Sequence, residues 1–214
     1  VIVNLGNSED QTEQLIRSIN DEKIKIVHST WDEGLKGGGE VLAAETNKAL
    51  QHVPSDADWC FYIQADEIIH EKYYPAIRQA MELYKDDKRV EGLLFKYKHF
   101  YGSYDYVGDT RKWYSHEIRI IRNDKSISSY RDAQGFRKNG HKLHVKEIDA
   151  WVYHYGWVKH PQLQLQKRIG FEKLYDNTAL ADKISKETTD AFDYSGIDSL
   201  TWFIGSHPAV MQPR

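Results

Sequence analysis

The order of apolar segments predicts an α/β fold, a mainly parallel sheet flanked by helices. Two observations lead there. Short apolar runs bounded by glycine or acidic residues alternate with helix-period stretches as far as Tyr84. The spacing between those runs suits helical crossovers, which place helices on both faces of a parallel sheet. From Val90 onward the strands follow a different pattern, so a mixed-strand half is expected there.

Val1-Ile2-Val3-Asn4-Leu5 reads as a buried strand closed by Gly6. Ser8 stands three residues before Gln11, a capping-box spacing, and Glu9 and Asp10 favour a helix N-terminus. The helix that follows reaches about Ile19 and carries Leu15, Ile16 and Ile19 on its apolar side. Lys23 to His28 is a second short strand. Gly37-Gly38-Gly39 opens a helix with Val41, Leu42, Ala44, Asn47 and Ala49. Asp58 to Ile63 is an apolar strand running into Gln64-Ala65-Asp66-Glu67, and a helix begins near Glu71 with Tyr74, Ile77, Met81 and Tyr84 on one face. Val90–Phe100 and Glu117–Arg122 read as strands around an aromatic loop (Tyr101, Tyr104, Tyr106, Trp113, Tyr114). Ala150 to Trp157 is a further strand, and Pro161 suits the first turn of a helix reaching about Tyr175. The tail ends in Trp202-Phe203-Ile204, expected to pack on the body and a candidate homodimer contact. One domain over 1–214 is expected, with halves 1–89 and 90–175 and a tail from 176 to 214.

Composition removes several function classes. At 214 residues the chain can bury one sizeable core. A net charge of -3 gives no electrostatic case for nucleic acid. No apolar run approaches the roughly 20 residues of a membrane span. The single cysteine, Cys60, excludes an internal disulfide and suits a reducing cytoplasm. The 14 tyrosines and 6 tryptophans offer flat rings with polar handles, as sugar faces require, although core packing uses the same residues.

The sharpest local feature is the acidic pair Asp66-Glu67 at the end of an apolar strand. In open α/β sheets ligands bind beyond the carboxyl ends of the strands. A carboxylate there can hold magnesium or manganese against a diphosphate, and the ion offsets charge on a departing nucleoside diphosphate. A solvated strand end would use the same residues.

Asn47-x-Ala49-Leu50, Asp58-Trp59 and Gln64-Ala65-Asp66-Glu67, in that order, resemble the R-N-x-A-L, D-W and D-A-D-E elements of family 2 glycosyltransferases. Asn7 to Thr12 is similar to that family's G-S-x-D-x-T turn, Glu117 to Arg122 to its R-L-F-R strand, and His154-Tyr155 to a late histidine. The resemblance spans about residues 1 to 175, towards the branch that builds bacterial lipopolysaccharide cores and capsules. It implies a GT-A-like, Rossmann-like fold and an inverting, metal-assisted transfer from a nucleotide-sugar donor to a glycan or lipid-linked acceptor. It also implies a cytoplasmic location, peripheral to the inner membrane face. Asp66 would be a ligand of a divalent metal (Mn²⁺ or Mg²⁺) and His154 a further metal or diphosphate ligand, while Asn47 and Gln64 would help hold the nucleotide-sugar. Gln64 departs from the family by replacing a carboxylate, though its amide can still bond a ribose hydroxyl. Leu5-Gly6 replaces an acidic position, and the family's first strand would precede Val1.

Inversion by direct displacement needs a base on the acceptor hydroxyl. Glu117, beginning a strand just after the aromatic loop, is the first candidate; Asp109, Asp132 and Glu147 (near His144) are alternatives. Two other functions compete. A nucleotidyltransferase would make the nucleotide-sugar, and a degenerate domain would bind sugars or partners without chemistry.

Overall fold

The computed structural model describes residues 1–6, 8, 10–32, 34–35, 39–175, 177–186, 194 and 197–212. In chain order the elements are β1 (Ile2–Leu5), α1 (Thr12–Ser18), β2 (Lys25–His28), α2 (Glu40–Gln51), β3 (Trp59–Phe61), β4 (Glu67–Ile69), a 3-10 turn (Glu71–Tyr73) and α3 (Tyr74–Leu83). There follow β5 (Gly92–Tyr101), β6 (Tyr106–Gly108), β7 (His116–Arg122), β8 (Ile127–Tyr130), β9 (Gly135–Lys138), β10 (His141–Lys142) and β11 (Val145–Trp157). The chain closes with α4 (Pro161–Leu174), α5 (Thr178–Ile184), β12 (Leu200–Trp202) and a 3-10 turn (Ala209–Met211). Two compact units result: Val1–Cys60 with Arg122–Leu143, and Phe61–Ile121 with His144–Arg214.

In the first unit β1 and β2 run parallel, and α2 buries Val41 and Ala43. Asn47, near the end of α2, is bonded to the backbone of β8. Its Oδ1 accepts from the Ser129 N–H at 2.7 Å and its Nδ2 donates to the Ser129 carbonyl at 3.4 Å. Strands β8, β9 and β10 form an antiparallel sheet. Asn139 and Gly140 link the last two with φ of 49° and 81°; a two-residue turn with both φ positive matches the twist of the strands it joins. Helix α1 begins at Thr12 with Gln11 at its N-cap, three residues later than the Ser8 cap expected. Its supposed apolar side is open to solvent, Leu15 and Ile19 being more than 60% exposed. Residues Asn7, Glu9, Gly37 and Gly38, on which the G-S turn and the start of the glycine-rich opening were placed, lie outside the described residues.

The second unit is organised by its two longest strands, β5 and β11, which pair in parallel. β4 lies antiparallel on β11, β7 and β6 antiparallel on β5, and β12 antiparallel on β6. Leu93, Phe95, Ile120, Ala150 and Val152 are fully enclosed. Phe100 stacks on Tyr155, with centroids 4.7 Å apart, and meets Phe203 edge-on at 5.0 Å. Phe203 therefore fastens the tail to the sheet, while Trp202 and Ile204 on either side remain exposed.

The expected mainly parallel, GT-A-like (Rossmann-like) sheet is corrected by these pairings. Parallel pairing joins β1 to β2 and β5 to β11, whereas β4–β11, β5–β6, β5–β7, β6–β12, β8–β9 and β9–β10 are antiparallel. The reason lies in the connections. A parallel neighbour needs a crossover of about a dozen residues, whereas a turn of a few residues can only reverse the chain. Between β5 and β10 the links are mostly that short. Residues 67–69, expected to lead into a helix, form a strand instead. Among the described residues no helix is long and apolar enough to cross a membrane.

Candidate active site

The acidic pair divides its labour. Glu67 points into the second unit, where its side chain is completely enclosed against an equally buried Arg119. Oε1 accepts from Arg119 Nη2 at 2.6 Å and from the Tyr97 hydroxyl at 2.8 Å. Oε2 accepts from Arg119 Nε at 2.9 Å and from the Gln64 N–H at 3.1 Å. With each oxygen accepting two bonds, Glu67 has no capacity left for an ion or substrate. It instead fixes the turn 64–66 that carries Asp66. The Glu67 N–H also donates to the Gln64 carbonyl at 3.0 Å, and the Tyr155 N–H to the Asp66 carbonyl at 2.8 Å.

Asp66 is thereby set against the end of β11. Its Oδ2 lies 3.5 Å from His154 Nε2 and 3.0 Å from Lys167 Nζ, an α4 side chain. Burial alone would raise the Asp66 carboxyl. His154 and Lys167 more than offset that and hold it well below the usual range. Lys167 also donates to the Gly156 carbonyl at 3.0 Å. A side chain at Gly156 would collide with Asp66 Oδ2, His154 Nε2 and Lys167 Nζ together. The missing Cβ thus leaves a small cradle walled by one carboxylate, one imidazole and one ammonium.

A relay from β5 orients the imidazole. His99 Nε2 is 2.8 Å from the Tyr114 carbonyl, and a carbonyl only accepts, so Nε2 carries the proton. Burial, then the neighbouring His154, push His99 down to about 4, so its ring is neutral and its Nδ1 is an acceptor. His154 Nδ1, 3.1 Å away, must therefore be the donor. In neutral His154 the lone pair is then on Nε2, facing Asp66 and the cradle. A hydrogen bond to the far ring nitrogen is the usual device for presenting an imidazole to a metal.

The cradle and this tautomer together present one carboxylate oxygen and one imidazole lone pair to the implied divalent cation. Asp66 Oδ2 and His154 Nε2 are 3.5 Å apart, a separation that two ligands of one ion can have, and both border the space that Gly156 leaves. Among the described residues no group of three or more His, Cys, Asp or Glu side chains is arranged around an ion. A site with two protein ligands still fits magnesium or manganese, which commonly take one or two carboxylates and complete their shells with substrate phosphates and water.

Gln64 Nε2 donates to the Tyr62 hydroxyl at 3.1 Å, beside the Asp66 turn. Glu117 lies on β7 in register with Phe95. The Tyr114 phenol is pushed well up, first by loss of solvent and then by Glu67, Glu117 and Asp66, so these carboxylates share one neighbourhood. Asp109 bonds Thr201 at the surface, Glu147 lies with Lys96 and His116, and Asp132 belongs to the first unit. Asn47 too is in the first unit, with both ends of its amide engaged by Ser129. Asn47→Ala is expected to cost about 1–3 kcal/mol in chemical denaturation, the scale for stranding buried backbone groups. No loss of stability, with weaker nucleotide binding, would show that Asn47 serves the ligand and not the fold.

His99, Gly156 and Lys167 escaped the sequence analysis. Gly156 lies within the strand read from Ala150 to Trp157, and a glycine inside a strand signals close approach of other groups. The other two carried no local signal. A scan against protein-family models finds no match, and a search of curated proteins finds no significant relative.

Proposed function

We propose that this protein moves a sugar from a nucleoside-diphosphate sugar to a glycan or lipid-linked acceptor, with inversion and with help from a divalent cation. The observation that carries the proposal is the meeting of Asp66, His154 and Lys167 around the Gly156 cradle, beside a turn anchored by a buried ion pair. The ordered resemblance to family 2 glycosyltransferase motifs supports it. A cytoplasmic location belongs to the same proposal.

Breaking the bond between the anomeric carbon and its phosphate leaves negative charge on the diphosphate. Preorganised positive groups lower that barrier without reorganising at the moment of reaction. A cation held by Asp66 and His154 would supply such charge as a Lewis acid. Lys167, a compact ammonium on a flexible stem, can reach the phosphates from the same side. Glu117 accepts the acceptor hydroxyl's proton as that oxygen bonds to the anomeric carbon and the diphosphate departs from the opposite face. His99 holds the His154 ring, and the Glu67–Arg119 pair holds the turn.

Calorimetric titration of UDP and GDP, each with and without Mn²⁺, tests the proposal. Metal-dependent binding of one nucleotide is expected. Glu117→Gln should leave that binding unchanged while lowering kcat about 10²- to 10⁴-fold, the contribution of a general base. A folded protein that binds neither nucleotide would fit a non-catalytic sugar- or partner-binding domain instead. Incorporation of a nucleoside triphosphate would indicate a nucleotidyltransferase.

A further inference from the structure

We propose that Lys167 is a tethered cation that occupies Asp66 and keeps divalent metal out until a diphosphate draws it away. The inference rests on Asp66 and His154 as the cation ligands. It assigns to Lys167 the order in which cation and nucleotide enter.

Three observations carry it. Lys167 Nζ bonds both Asp66 Oδ2 and the Gly156 carbonyl at 3.0 Å, so it holds the carboxylate oxygen that a metal would use. Its side chain is 18% exposed, and the ammonium lies 5.1 Å from the Trp157 ring centroid and 5.6 Å from that of Phe171. It is therefore seated in a built position and not waving in solvent. Nζ is also one wall of the Gly156 cradle beside Asp66 Oδ2, so an ion placed there would crowd two positive charges together. Like charges a few ångströms apart at a half-buried site repel far more strongly than they do in water.

Such a block is relieved by an anion that gives the ammonium a better partner. A diphosphate does so, offering phosphate oxygens to Lys167 while Asp66 is freed for the metal, and the four-carbon stem lets the ammonium shift without moving α4. Cation and nucleotide then bind together, and the metal alone binds poorly.

The probe is Mn²⁺ alone, followed on the whole 214-residue chain by the electron paramagnetic resonance signal of the free aquo ion. Native protein should leave the ion essentially free. Lys167→Met, and Lys167→Gln as a second variant if the first folds poorly, should bind one Mn²⁺ at least ~10-fold more tightly, as expected when a like charge is removed from beside the ion. Lys167→Arg, which keeps the charge, should behave like native protein, and adding Asp66→Asn to Lys167→Met should abolish the gain. Equal Mn²⁺ affinity in native and neutral variants, or a gain that survives loss of Asp66, would overturn the proposal. A gain that depends on Asp66, in a protein that binds no nucleotide, would leave Lys167 as the block and remove the sugar-transfer function.

Discussion

Arg119→Ala or Glu67→Ala should destabilise the second unit by about 3–5 kcal/mol, the usual cost of stranding one partner of a buried ion pair. Both side chains are all but sealed from solvent, at 1% and 0% exposure. Burial would by itself weaken the hold of Arg119 on its proton; Glu67 reverses that and holds it more firmly. The two contacts are parallel, Nη2 to Oε1 and Nε to Oε2, and Tyr97 and the Gln64 N–H complete the carboxylate's bonding. Either single truncation leaves a charge in a space without water. Replacing both by apolar residues of similar volume, Glu67→Leu with Arg119→Met, should recover most of that loss, since such pairs repay little more than their own desolvation. Urea denaturation of the three variants measures this. Single-variant losses below about 1 kcal/mol would mean that the pair behaves like an exposed one. The double variant has a second use: with stability restored but the turn 64–66 untied, its nucleotide binding shows how much the site depends on that anchor.

Asp66→Asn should lower turnover by about 10²- to 10³-fold, the scale of losing one preorganised charge-stabilising group, and remove the metal dependence of nucleotide binding. The substitution keeps size and shape while deleting the charge that faces His154 and Lys167. The backbone bond from Tyr155 to the Asp66 carbonyl does not involve the side chain, so the fold should persist. Unfolding curves matching native protein, combined with lost Mn²⁺-dependent calorimetric heats, are the expected pair of results. Unchanged binding in a folded Asp66→Asn protein would sink the assignment of Asp66 as the cation ligand.

Much of the element order was legible because it rests on local chemistry. Val1 to Leu5 is an apolar run too short for a helix, and it forms β1. Pro161 at the first turn of α4 contributes a fixed φ and no donor where neither matters. The strands from Glu117 to Arg122 and through Ala150–Trp157 fall within β7 and β11. Which strands would pair, and in which direction, was not legible in the same way. Asn139-Gly140 was an available hairpin signal, but β5 and β11 are parallel neighbours separated in the chain by β6 to β10. No pattern within either strand announces that partner.

The site shows the same division. Asp66 is legible because an acidic residue just beyond an apolar run stands out against its neighbours, whereas His154 is legible only through the family resemblance. Glu67 is adjacent to Asp66 and of the same chemistry, yet Asp66 sits in the turn 64–66 beside His154 and Lys167, while Glu67 opens β4 and is buried on Arg119. What sequence by itself determined about this protein is where its strands and helices lie and which polar side chains end them, since both follow from interactions a few residues long. Only the tertiary structure decided the mixed pairing of the sheets, the burial of Glu67 on Arg119, the His99 relay and the seat of Lys167. The Glu67–Arg119, His99 and Lys167–Asp66 contacts join residues 15 to 101 positions apart in the chain, which local periodicity does not encode.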